Sequence, residues 1–186
     1  MFMFDVETLG TESNSIVLSA AMIYFDFDEV KSFQDYVDSA CYVKFDKEEQ
    51  IKLNRVVDDS TLEWWKKQSE ISRKAALDPS DNDLSAKDGI EQFRNYINSH
   101  GGPNQIFWMR GTLDQMAIDS LCKSINVPLL TRFNRWRDVR TAVDILADNA
   151  KGGYCKIKNF NPDLHAIKHL PQHDCAVDIL MLVNHE

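Results

Sequence analysis

Apolar residues fill Met1–Phe4 and Val6 almost without a break, a run short enough for a buried strand. Thr11–Ser15 is polar and reads as a loop, Ile16–Phe25 is β-rich, and Asp26–Glu29 looks like a turn. Ser32–Phe45 alternates loosely and is expected as a third strand, so the chain should open with an antiparallel meander. Beyond a polar stretch over 46–59, Ser60-Thr-Leu-Glu63 has the pattern of a capping box opening a helix that carries Trp64 and Trp65. Ser85 with Asp88 caps the next helix, striped by Ile90, Phe93 and Ile97 and ended by Gly101-Gly102. Gln105–Met109 reads as a short buried strand, followed by helices over 113–124 and 138–149. A loop over 151–163 and a terminal helix over 174–183 complete the chain. This order predicts an α/β fold, a mixed sheet with helices on both faces. The opening strand should be central, because it is apolar on both sides.

At 186 residues the chain suits a single domain over 1–186 with a sizeable core. No apolar run has the length of a membrane span, and the start lacks the basic region of a signal peptide, so the expected compartment is the cytoplasm. Cys41, Cys122, Cys155 and Cys175 lie far apart and read as reduced thiols. The net charge of −8 argues against a protein that coats nucleic acid by bulk electrostatics. It is compatible with an enzyme whose acids are gathered in one metal site.

Candidate chemistry starts at Asp5 and Glu7. Side chains two apart on a strand share a face, so these carboxylates project together from an otherwise apolar strand. They repel, and desolvating them is costly unless a cation lies between them. Hard oxygen ligands suit Mg²⁺ or Mn²⁺. Alone, D-x-E more often marks a strand end running into solvent, so further acids must carry the argument. Asp114, in RGTLDQMAI, starts a helix after a strand, and Asp178, in HDCAVDIL, lies in the last helix. Four acids on three elements can build a two-metal site. His173 precedes Asp178 by five residues, about 140° around an ideal helix, so the two would not share a face. His173 is therefore expected in the loop leading into the helix, after Pro171, where its ring could deprotonate a water.

D-V-E-T at 5–8, the isolated Asp114 and the H-x₄-D pattern of 173–178 together resemble the DEDDh 3′–5′ exonucleases. STLEWWKKQS (60–69), WRDVRT (136–141) and HDCAVDILM (173–181) are similar to a phage-type branch of that family with exoribonuclease-like relatives. The resemblance implies an RNase H-like fold and metal-dependent release of nucleoside 5′-monophosphates from a nucleic acid 3′ end. Single-stranded DNA is the favoured substrate and RNA its rival. It also implies Asp5, Glu7, Asp114 and Asp178 as ligands of two Mg²⁺ ions (Mn²⁺ in their stead) and His173 as general base. Thr8, Leu9, Gly10, Trp65 and Arg110 are the expected substrate contacts. Cys175 stands where the family usually has alanine, and the asparagine often found before the second aspartate is absent.

Three other readings compete. Arg132, Arg135, Arg137 and Arg140, interleaved with Phe133 and Trp136, suit either a nucleic acid strand or an ordinary basic surface. His165, His169 and His173 fall four apart and invite zinc, but Pro171 breaks the implied helix and no cysteine or acid completes a usual set. An inactive nucleic-acid-binding module would have no need of so many mutually repelling acids.

Overall fold

The computed structural model describes residues 1–186. Its elements, in chain order, are β1 (Phe2–Thr8), β2 (Val17–Tyr24), α1 (Phe33–Asp38), β3 (Cys41–Lys44), α2 (Lys47–Lys52), α3 (Asp59–Trp65) and α4 (Glu70–Leu77). There follow α5 (Ala86–Ser99), β4 (Phe107–Met109), α6 (Leu113–Ser124), β5 (Trp136–Asp138), α7 (Val139–Leu146), α8 (Pro162–His165) and α9 (Pro171–Val183). The sheet order is β3-β2-β1-β4-β5. The first three strands form the expected antiparallel meander, and β4 and β5 run parallel to β1. This is an α/β mixed sheet consistent with the RNase H-like fold.

Strand alternation explains the two layers. Phe2, Phe4 and Val6 point to one face of β1, into a core with Phe93 and Ile97 of α5 and Ala117 and Leu121 of α6. Met3 points to the other face, into a second core with Cys175, Ala176 and Ile179 of α9. Asp5 and Glu7 continue the parity of Met3, so the strand aims both acids toward the side that α9 covers.

Local signals moved several boundaries. The expected third strand is split, because Ser32 and Asp35 form a reciprocal capping box that starts α1, leaving only Cys41–Lys44 extended. Asp58, not Ser60, caps α3, accepting from the Ser60 N–H, and the helix stops at Trp65 before α4 begins. Asp138 ends β5 and caps α7 through the Thr141 N–H. Helix α9 begins at Pro171, where proline's missing N–H costs nothing, and this carries His173 inside its first turn.

A third cluster lies under the β1–β2 loop. Trp65 is 0% exposed among Leu9, Ile16, Leu18 and Ala76, and its Nε1 donates to the Thr8 carbonyl at 3.0 Å. Thr8 and Leu9 are buried too, and Thr8 Oγ1 donates to the Gly10 carbonyl at 2.6 Å. Gly10 is needed because a Cβ there would collide with Ser15 Oγ. The side chains of Thr8, Leu9 and Trp65 thus support the acid-bearing strand from beneath. Trp65→Ala is expected to cost about 3–5 kcal/mol, as large aromatic truncations in a core do. Trp64→Ala, at a 41% exposed position, should cost far less, and urea denaturation of both variants checks the contrast.

Candidate active site

Because β1 and β4 are parallel, their carboxyl ends lie at one edge of the sheet. β1 brings Asp5 and Glu7 there, and the turn after β4 brings Asp114 in the first turn of α6. Helix α9 covers the same edge and adds Asp174 and Asp178, four residues apart and thus on one side of the helix. Asp5, Glu7, Asp174 and Asp178 line a cleft of about 630 Å³ together with Trp64, Arg110, Arg140, Tyr154, Lys168 and His169. Glu7, Asp114 and Asp178 are all below 10% exposed.

Burial dominates the electrostatics. It pushes the Asp5 carboxyl well above the usual carboxylate range, and the charges of Asp114, Asp174, Glu7 and Asp178 push it further. Asp114 is raised chiefly by burial, opposed by the Arg110 N–H that donates to its Oδ2 at 3.3 Å. Asp174 is pushed up to about 7 by burial and then by Glu7 and Asp178. Asp5 Oδ2 is out of reach of solvent and has no hydrogen-bond partner. An orphaned carboxylate oxygen amid further acids is the situation that a divalent cation relieves, and oxygen-rich donors suit Mg²⁺ or Mn²⁺.

Two of the acids have basic side chains as partners. Glu7 Oε1 lies 3.3 Å from His169 Nδ1. Asp178 is gripped by Arg110: Nη2 donates to Oδ1 at 2.7 Å, and Nε donates to Oδ1 and Oδ2 at 2.9 and 3.1 Å. Arg110, expected as a substrate contact, and Asp178, expected as a metal ligand, are thus paired with each other.

His173 does not line the cleft. Its Nδ1 accepts the Ile167 N–H at 3.1 Å, its ring meets the edge of Phe33, and burial lowers its pKa. The histidine at the acids is His169. It sits in the loop before α9 with φ of +63°, a backbone conformation costly for a non-glycine residue. Its N–H donates to Asp174 Oδ2 at 2.8 Å, and Trp64 packs against its ring. Donor atoms of Glu7, His169 and Asp174 all lie within 4.8 Å of one another. His169 and Asp174 were missed as a pair, although the signal was present: they have the same H-x₄-D spacing as His173 and Asp178. Of the three histidines considered for zinc, His165 instead stacks on Phe160. Of the basic segment, only Arg140 reaches the cleft.

Residues 1–174 match the 3′-5′ exoribonuclease Rv2179c-like domain. The chain is also 34% identical over 199 aligned positions to a protein of Enterobacteria phage T4 named exodeoxyribonuclease, covering 97% of this chain and 86% of that protein. The opening D-V-E-T, the mixed sheet and the buried acids at its edge agree with both similarities. This chain belongs to the DEDDh exonuclease family and, within it, to the 3′-5′ exoribonuclease Rv2179c-like group.

Proposed function

We propose that this exonuclease removes nucleoside 5′-monophosphates from the 3′ end of single-stranded DNA, with Asp5, Glu7, Asp114 and Asp174 holding two Mg²⁺ ions and His169 acting as general base. The observation that carries the reading is the unpartnered Asp5 Oδ2 at the centre of these acids. When bound, the ions supply Lewis acidity and charge neutralisation at the scissile phosphate. The chain's own residues do the rest. With its Nδ1–H given to Glu7, His169 keeps its Nε2 lone pair free to take a proton from the attacking water. Asp174, through the His169 N–H, holds the loop that carries the imidazole. The water's oxygen bonds to phosphorus, the P–O3′ bond breaks, and the departing O3′ takes a proton from solvent to leave the shortened chain with a 3′-hydroxyl. Trp64, half-exposed beside His169, offers a face for the terminal base. DNA is favoured by the name of the T4 relative, and the description of the matched group makes RNA the rival.

The test uses single-stranded DNA and RNA labelled at the 5′ end. A ladder of shortened labelled products is expected, absent in EDTA and restored by Mg²⁺, and a 3′-phosphate should block it. Immediate release of a labelled mononucleotide would overturn the direction. Faster RNA than DNA turnover would overturn the sugar preference.

A further inference from the structure

Residues 132–140 carry four arginines against one aspartate, a net charge of +3 in a chain of net −8. None of the four arginines forms an ion pair. The one aspartate, Asp138, is taken up by the N–H groups of Gly111 and Thr141. Arg132, Arg137 and Arg140 are exposed, and Arg137 Nη1 donates to the Asn134 and Trp136 carbonyls. Phe133, in the 3₁₀ turn Phe133–Arg135 that leads into β5, is 80% exposed. β5 is an outer strand of the sheet, and charges on such a strand discourage pairing with another sheet. That role asks for charge alone and does not account for a phenylalanine standing in water beside Arg132.

Strand register relates this segment to the acids. Trp136 packs with Phe4 and Phe107, so Arg137 turns to the other face of the sheet. There it shares a row with Trp108 and Met3, and Asp5 lies two residues further along the same face. Arg140, in the first turn of α7, lines the cleft itself. From the cleft the segment therefore runs back along the edge of the sheet, through Arg137 to Phe133 and Arg132. At about 3.3 Å per strand residue and about 2 Å per residue of 3₁₀ turn, Asp138 to Phe133 spans roughly 13 Å. That is room for about four nucleotides at the stacked spacing of about 3.4 Å.

We propose that this edge is an accessory subsite for the single strand upstream of its 3′ end, in which Arg132 and Arg137 hold backbone phosphates and a base stacks on Phe133. The proposal rests on the exonuclease reading above and deepens it: a 3′ end at the acids leaves the 5′ side of the strand to pass out beside Arg140. Guanidinium groups interleaved with an exposed aromatic ring follow a strand without reading its sequence. An acidic chain repels a polyanion overall, so a local basic track is what retains it.

The experiment compares Mg²⁺-dependent degradation of oligothymidylates of about 3 and about 12 nucleotides, with oligouridylates of the same lengths beside them. Wild type should show a KM at least about tenfold lower for the longer strand, the worth of one stacked base. Phe133→Ala and the double variant Arg132→Gln/Arg137→Gln should each raise that KM about tenfold, with kcat and short-strand turnover within about threefold of wild type. In the double variant the slope of log kcat/KM against log salt should flatten by about 1.4, since each phosphate contact on a single strand contributes about 0.7. Lys52→Gln, an exposed charge on α2, the helix that follows β3 at the opposite edge, should change neither KM nor slope. Equal KM for the two lengths in wild type, or a long-strand KM untouched by both variants, would overturn the subsite, leave the patch to an acidic protein and keep the exonuclease reading intact. Equal losses on both lengths would place the effect in the cleft or the fold and overturn it too. A wild type that degrades neither strand would remove the exonuclease reading and this inference with it.

Discussion

Asp5→Asn is expected to lose nuclease activity by on the order of 10³-fold or more while making the metal-free protein more stable. The activity loss follows from removing a carboxylate at the centre of the cluster, where charge stabilisation by preorganised groups supplies much of the rate. The stability gain follows from linkage. Burial and four neighbouring acids raise the pKa of Asp5 in the folded state. A carboxyl raised in this way binds more protons folded than unfolded, so stability falls as pH rises from the unfolded value of about 3.9 through the raised folded value. Asp174, pushed up to about 7, adds to the same loss as pH rises from about 4 toward neutrality. In EDTA the wild type should therefore melt at progressively lower temperature across that window, and Mg²⁺ should restore what was lost. Asp5→Asn should flatten the dependence and raise the metal-free Tm at neutral pH by roughly 2–4 °C for each kcal/mol relieved. Melting curves in EDTA and in Mg²⁺ from pH 4.5 to 7.5 check this, and a destabilised Asp5→Asn at pH 7 would show that the cluster is not electrostatically frustrated.

His169→Ala should cost on the order of 10²–10⁴ in kcat, the usual contribution of a general base, whereas His173→Ala should stay within a few-fold of wild type. The imidazole must be neutral to accept a proton. The hydrogen bond with Glu7 raises its pKa, partly offset by burial, so activity should fall as pH drops through that value. In His169→Ala this acid limb should vanish, and higher pH should recover part of the rate as hydroxide replaces the base. His173→Ala removes an acceptor for the Ile167 N–H and a contact with Phe33, so its effect should appear in stability. Single-turnover rates from pH 6 to 9 at saturating Mg²⁺ separate the two. Equal losses in both variants, or the larger loss in His173→Ala, would return the base to the position expected from sequence.

The layered plan and much of the acid cluster are legible in the amino-acid sequence alone. Alternation along Phe2–Thr8 puts the phenylalanines on one face and Asp5 and Glu7 on the other, because a strand has no choice about parity. Ser85 with Asp88 and the stripe of Ile90, Phe93 and Ile97 gave α5 in the same local way. Tertiary packing alone selects which histidine of the two overlapping H-x₄-D pairs faces the acids, for Asp174 and Asp178 both line the cleft. Spacing is identical for His169 with Asp174 and for His173 with Asp178, and Pro171 lies where the choice turns. Starting α9 at Pro171 winds His173 into the helix, against Phe33, and leaves His169 in the loop above Glu7. The pairing of Asp178 with Arg110 was equally hidden, since the two lie 68 residues apart and nothing local joins them. So was the choice between Trp64 and Trp65, because adjacent residues on a helix diverge by about 100° and only the packing of Leu9, Ile16 and Leu18 fixes which one turns inward. Parity and capping are short-range properties of the chain, whereas the pairing of charges in a buried cleft depends on which distant elements meet there.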